Sequence, residues 1–209
     1  MVRGREEVTG VLLVGGASRR FGSPKALARF QGEVLGERAH RLLEEAFGRV
    51  LVVGKAADEL RLPFPIVDDG SDLRAPIVGL AAALRAAETD LSVVLPTDMP
   101  LLAVDLLLEL ARGAEGLDAA VPQTGPLPGA YRRSALPVLE RRIEAGELAL
   151  YRALDELRVR VVELDEELLA NVNARSDLSR VAITGLIAIA HQHHQHIALC
   201  ALEILGNLL

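Results

Sequence analysis

With 209 residues, half of them apolar and a quarter charged, the chain is long enough for one domain plus a short appendage, and its composition excludes intrinsic disorder over most of its length. A formal net charge of −6 argues against broad binding to nucleic-acid backbones, so a bound polyanion needs a local basic patch. Cys200 is the sole cysteine, which excludes an intrachain disulfide and a Cys-based zinc site. MVRGREEVTG lacks the apolar core of a signal peptide and no uninterrupted apolar run reaches ~18 residues, so a soluble cytoplasmic protein without membrane contact is expected.

Val8 to Val14 is a short apolar run ending at Gly15-Gly16 and reads as a buried parallel strand followed by a loop. Leu35, Ala39, Leu42, Leu43, Ala46 and Phe47 recur at helical spacing. Val50 to Val53 is the next strand, stopped by Gly54, and Pro65-Ile66-Val67 is a short third one, ended by Asp68-Asp69-Gly70. Ile77, Leu80, Ala81 and Leu84 mark a helix with Pro76 in its first turn. Leu91 to Leu95 is a strand ended by Pro96, and Val104, Leu107, Leu108 and Ala111 mark the helix after it. Strand and helix alternate four times over ~110 residues, which predicts an α/β fold: one Rossmann-like open sheet, mainly parallel.

The second half is less regular. Ala119-Ala120-Val121 and Leu127 to Tyr131 read as strands around a Pro/Gly-rich loop. Leu136, Leu139 and Ile143 mark one helix, Leu148, Tyr151, Leu154 and Leu157 the next, and Arg158 to Leu164 alternates like a strand. From Ile183 to Leu209 an apolar stretch is interrupted by His191-Gln192-His193-His194-Gln195-His196, which holds four of the five histidines. Histidines at i, i+3 and i+4 on one helix face could take a metal, and a simple terminal extension is the plainer reading. Its largely apolar flanks should pack on the domain or on another chain, so self-association through this segment is expected. The division is therefore 1–181 for the domain and 182–209 for the extension.

The strongest chemical signal is Leu13-Val14-Gly15-Gly16-Ala17-Ser18-Arg19-Arg20-Phe21-Gly22-Ser23-Pro24-Lys25, directly after the first strand. Glycines at a strand end let backbone N–H groups approach an anion without an intervening Cβ. Arg19, Arg20 and Lys25 place three cations within seven positions of an acidic chain, and phosphate is their natural partner. Lys25 stands out further because the chain has only one other lysine, Lys55. A Walker-type loop is excluded, since no Gly-Lys-Ser/Thr follows, and Gly15, Gly16 and Gly22 do not fit the dinucleotide glycine spacing.

The loop resembles the nucleotidyltransferase signature L-x-G-G-x-S-x-R-x-G-x-x-K and is closest to that of the molybdenum cofactor guanylyltransferase family, with Phe21 where Met is usual. The resemblance covers roughly residues 8 to 181. It implies a nucleotide-diphospho-sugar-transferase-like fold of the GT-A type and transfer of GMP from GTP to the terminal phosphate of molybdopterin. It assigns Leu13, Val14, Gly15 and Gly16 to the nucleotide, and Arg20 and Lys25 to the triphosphate. The segment Ile66 to Leu80 resembles the family's second motif, which places an Asp against the nucleotide at Asp69, with Asp68 as rival. Val93 to Pro100 resembles its metal motif and makes Asp98 the ligand of Mg²⁺. Asn171-Val172-Asn173, ahead of Ala174 to Leu178, resembles the family's ending and puts those amides near metal and phosphates. Partner proteins of the same biosynthetic pathway are implied as well.

Each acidic residue also has a plainer role open to it. Asp98 could cap a helix beginning near Met99 or Leu101, Asp69 sits in Asp-Gly turn chemistry, and Asn173 could cap the last helix. The acceptor phosphate is already ionised near neutral pH, so no general base is demanded; His40, on a predicted helix, reads as structural. Pro126, Leu127, Tyr131 and Arg132 are placed on the acceptor side by position alone. A cytidylyltransferase acting on the same cofactor, a sugar-1-phosphate nucleotidyltransferase and a non-catalytic nucleotide sensor or pathway adaptor are the competing readings. Gly15-Gly16 favours guanine over the first, the loop lacks the G-x-G-T-R-L form of the second, and Asp98 argues against the third.

Overall fold

The computed structural model describes residues 7–15, 24–174 and 176–183. Gly16 and Arg20, like the histidine-bearing stretch, lie outside the described residues. In chain order the first half runs β1 (Val8–Leu13), β2 (Arg29–Phe30), β3 (Glu33–Val34), α1 (Leu35–Phe47), β4 (Val50–Gly54), β5 (Val67–Asp68), α2 (Pro76–Ala86) and β6 (Leu91–Pro96). The second runs α3 (Val104–Gly113), β7 (Ala119–Pro122), β8 (Gly129–Arg132), α4 (Leu136–Glu144), α5 (Leu150–Ala153) and β9 (Val159–Val162). A further helical stretch covers 176–183.

Seven strands form one sheet in the order β5-β4-β1-β6-β8-β7-β9. β1 lies parallel to β4 and β6, β4 to β5, and β7 to β9, whereas β8 runs antiparallel to both β6 and β7. The mainly parallel α/β fold expected from alternation is thus present, with one reversed strand inserted in its second half. Among the described residues no helix is long and apolar enough to cross a membrane.

Side chains alternate across the sheet because successive residues of a strand face opposite sides. Val8 and Leu12 of β1 and Leu91, Val93 and Leu95 of β6 meet α1 and α3 through Leu43, Phe47, Leu107 and Leu110. Val11 and Val94 face the other way, towards Ile77, Leu80, Leu84, Leu139 and Leu150 of α2, α4 and α5. Burial on both faces explains why these strands read as continuous apolar runs. Gly10 permits a close approach of α1, since a Cβ there would lie 3.0 Å from the Leu43 Cβ. α1 ends where Gly48, at φ +73°, turns left-handed and donates its N–H to the Glu44 carbonyl at 2.8 Å.

The local departures from the sequence expectations have local causes. The strand expected from Leu127 begins only at Gly129, because Pro126 and Pro128 have no N–H for a ladder. The helix expected over Leu148 to Leu157 is one turn at α5 followed by a 3-10 turn, Leu154–Glu156. The hairpin β2–β3 has no counterpart in the sequence reading; Gln31 and Gly32, at φ 49° and 84°, form its two-residue turn.

Candidate active site

In an open parallel sheet, ligands bind outside the carboxyl ends of the strands. Register brings Leu13 level with Val53 and with Pro96, so β1, β4 and β6 end side by side. Beyond those ends lies a cavity of about 610 Å³. Leu13, Val14 and Gly15 line it from β1, and the Val14 N–H donates to the Val53 carbonyl at 2.8 Å. Gly54 allows this close approach, as a Cβ there would stand 2.6 Å from the Val14 oxygen. Gly15 adopts φ +122°, a conformation glycine reaches without strain.

One end of the cavity gathers three segments remote in sequence. Lys25, in the 3-10 turn Lys25–Leu27, donates to Asp98 Oδ2 at 2.9 Å and to Asn173 Oδ1 at 3.1 Å. Asp98 stands in the loop after β6. That loop is tied down by the Val172 N–H, which donates to the Asp98 carbonyl at 2.8 Å, and by Arg38 Nε, which donates to the Pro100 carbonyl at 2.8 Å. Val172 itself is fully buried in a small cluster with Phe30, Leu35 and Val181. Asp177 accepts the N–H groups of Asn173 and Ala174 at 2.8 and 2.9 Å. Those bonds, the Asn173 one foremost, hold its carboxyl below the usual carboxylate range.

The other end is built from one continuous stretch. Lys55 donates to both carboxylate oxygens of Asp69 at 2.8 Å, and this ion pair is largely buried, with 12 and 7 % of the two side chains exposed. The Ser71 N–H adds a third bond to Asp69 Oδ1 at 3.1 Å. Asp58, in the 3-10 turn Ala56–Asp58, receives Arg74 through both oxygens, at 2.7 and 3.2 Å. Asp68 turns away from the cavity. It accepts the N–H groups of Ala56 at 2.6 Å and Gly70 at 2.8 Å, and these, Ala56 first, hold its carboxyl below its ordinary value.

Of the residues expected at the site, Leu13, Val14, Gly15, Lys25, Asp69 and Asp98 all line the cavity, and Asn173 touches Lys25. Asp98 does not cap a helix: α3 starts at Val104, after Ala103, with no side-chain cap. Asn173 turns its side-chain oxygen to Lys25 rather than to a helix N–H. His40 stacks on Phe64, ring centroids 4.2 Å apart, away from the cavity. Three of the four acceptor-side expectations, Pro126, Tyr131 and Arg132, are corrected. Tyr131 is fully buried in the core, its hydroxyl donating to the Pro126 carbonyl at 2.6 Å, and burial pushes its phenol up. Arg132 pairs with Leu91 at the opposite end of β6 and binds the Ala114 carbonyl and Asp90. Of that proposed acceptor wall only Leu127 reaches the cavity.

Lys55, Asp58 and Arg74 were not read from the sequence. The signal for Lys55 was present: it is the second of only two lysines, it follows a strand-ending glycine, and both lysines line the cavity. Among the described residues the charged lining then comprises Lys25, Lys55 and Arg74 against Asp58, Asp69 and Asp98.

A glycine-floored cavity at the carboxyl edge of a mainly parallel sheet, with one reversed strand beside it, defines a domain of the nucleotidyltransferase type. The family described as MobA-like NTP transferase domain matches residues 10–161, and the chain belongs to that family. It is 36% identical over 161 residues to a probable molybdenum cofactor guanylyltransferase of Chloroflexus aggregans, covering 72% of this chain and 77% of that one. A protein of the same designation from Aquifex aeolicus is 31% identical over 176 residues, covering 81% and 88%. Among solved structures, molybdopterin-guanine dinucleotide biosynthesis protein A of Archaeoglobus fulgidus superposes with a TM-score of 0.70 at 29% identity, covering 83% of this chain and 96% of that chain.

Proposed function

We propose that the protein transfers GMP from GTP to the terminal phosphate of molybdopterin and releases pyrophosphate. The observation that carries this reading is the meeting of Lys25, Asp98 and Asn173 at the end of a nucleotide-sized cavity, in a chain whose relatives bear the guanylyltransferase designation.

The chemistry needs little from side chains. An oxygen of the acceptor phosphate attacks the α-phosphorus of GTP, a P–O bond forms, and the bond to the β-bridging oxygen breaks. The electron pair leaves with pyrophosphate. Catalysis then consists of alignment and charge stabilisation. Leu13, Val14, Gly15 and Gly16 seat the nucleotide through backbone groups. Lys25 and Arg20 orient the triphosphate and offset the charge that gathers on the leaving group. Asp69, held rigid by Lys55, faces the nucleoside.

Asp98 and Asn173 fit a Mg²⁺ ion. Their oxygens converge on the ammonium of Lys25, so the spot already accommodates a positive charge. Mg²⁺ favours one or two carboxylates, phosphate oxygens and waters over a protein cage, which suits a site where no group of three or more His, Cys, Asp or Glu is placed for a metal among the described residues. When bound, the ion supplies neutralisation of phosphate charge.

The test is pyrophosphate release from each of the four nucleoside triphosphates with molybdopterin, with and without Mg²⁺. Release with GTP and Mg²⁺ is expected. Release with CTP in preference to GTP overturns the choice of base, and no release with any nucleotide overturns the catalytic reading.

A further inference from the structure

We propose that Asp58, clamped by Arg74, is the group that reads the guanine base, through the N1–H and N2–H donors of its edge. The proposal rests on the nucleotidyltransferase reading above and adds to it a specificity-determining side chain.

The placement comes first. Lys25, Asp98 and Asn173 mark the phosphate end, beyond β6 and the exit of β1. β4 and β5 lie on the opposite side of β1 in the sheet order. Adjacent strands are spaced ~4.8 Å apart, so the ends of β4 and β6 stand about 10 Å apart, the reach of a nucleoside from α-phosphate to base edge. The base therefore falls at the β4–β5 end, among Lys55, Asp58, Asp69 and Arg74, all of which line the cavity. Asp58 also sits directly over the nucleotide floor: a Cβ on Gly15 would lie 3.2 Å from its Oδ2.

Valence then separates the two carboxylates. An ionised carboxylate offers about four acceptor sites. Asp69 spends three of them on Lys55, twice, and on the Ser71 N–H. Asp58 spends one on each oxygen, both on Arg74, and keeps one on each. Two parallel acceptor sites match two parallel donors, the pattern of the guanine edge; cytosine presents no such pair. The bidentate Arg74 fork fixes the plane of the carboxylate before the base arrives, which makes Arg74 a positioning residue.

The test compares equilibrium dissociation constants of GTP, ITP, XTP and CTP for the full chain and for Asp58→Asn, measured without acceptor. The intact protein should bind GTP roughly 10- to 100-fold tighter than ITP, which lacks the 2-amino group. Asp58→Asn should lose a similar factor for GTP and gain affinity for XTP, whose 2-oxo group accepts from the new amide. Arg74→Met should reduce the preference for GTP over ITP without creating one for XTP. Equal affinity of the intact protein for GTP and ITP overturns the proposal, as does an equal loss for all nucleotides in Asp58→Asn. Failure of the underlying reading looks different: the intact protein then binds CTP best, or binds no nucleotide. Should Asp58→Asn not fold, the GTP/ITP ratio of the intact protein and the Arg74→Met series decide by themselves.

Discussion

The two ends of the cavity are made in opposite ways. At the β6 end, Lys25, Asp98 and Asn173 come from segments up to 148 positions apart and meet only because the sheet, α1 and the Val172 cluster are in place. At the β4–β5 end, Lys55, Asp58, Asp69 and Arg74 belong to one short stretch, the two connections either side of β5, and their bonds span 14 to 16 positions. The first is an ion pair of two side chains about one-fifth exposed, and the second is nearly buried. Exposed pairs contribute little to stability, while a buried charge stripped of its partner is costly. The Lys25 end is thus suited to exchange with a ligand, and the other end to rigidity.

The contrast is broken most directly at the lysines and their partners. Lys55→Met leaves the Asp69 carboxylate without its counter-charge and should cost about 3–5 kcal/mol in a denaturant titration, with most of the loss recovered when Asp69→Asn is added. A loss of under ~1 kcal/mol, the range of exposed pairs, would erase the distinction between the ends. Asp98→Asn should lower turnover by about 100-fold or more with the thermal midpoint little changed; normal turnover and a normal Mg²⁺ response would remove Asp98 from the chemistry. Lys25→Met should weaken GTP roughly 10- to 100-fold and guanosine hardly at all, compared by calorimetry; equal losses would detach Lys25 from the triphosphate.

A smaller effect distinguishes the ends by pH. Asp177, which holds Asn173, has a carboxyl lowered from its ordinary 3.8. Its contribution is complete above that value and fades as the pH falls through the lowered one. Acidification below about pH 4 should therefore lower the thermal midpoint, and Asp177→Asn should flatten part of that decline. An unchanged slope in the variant would show that the segment is held by Val172 alone. The smallest effect is expected from ending the chain after Ile183: GTP affinity should be preserved, because among the described residues none that lines the cavity lies beyond Leu127, and Asn173 is retained. Loss of affinity in a folded truncation would bring the histidine cluster into the site.

Legibility in the sequence follows the same division. Apolar runs stopped by glycine or, at β6, by proline gave β1, β4 and β6, because strands buried on both faces leave such runs. Loop composition gave Lys25, whereas Asp69 and Asp98 came from the resemblance to the family's motifs, since an Asp at a strand end reads equally as turn or cap chemistry. The reversed strand β8 was not readable, since its direction depends on pairing with β6 and β7 rather than on its own residues. For the same reason Tyr131 and Arg132 were placed on the wrong side: proximity in sequence to Leu127 says nothing about which way β8 runs. Asp58 and Arg74 were missed because a charge in a connection reads as solvated until its partner is seen across the turn.

The bond from the Val172 N–H to the Asp98 carbonyl has a consequence for biosynthesis. A chain leaves the ribosome from its N-terminus, and domains begin to fold as they emerge. The glycine loop, β4 and β6 are all made well before Asn171 to Asn173 exist. The Lys55–Asp69 pair can therefore form before the segment that completes the cluster of Lys25, Asp98 and Asn173 has been made. Under the proposed function, full nucleotide capture is expected only once residues 171–173 have been made and the Val172 N–H has met the Asp98 carbonyl.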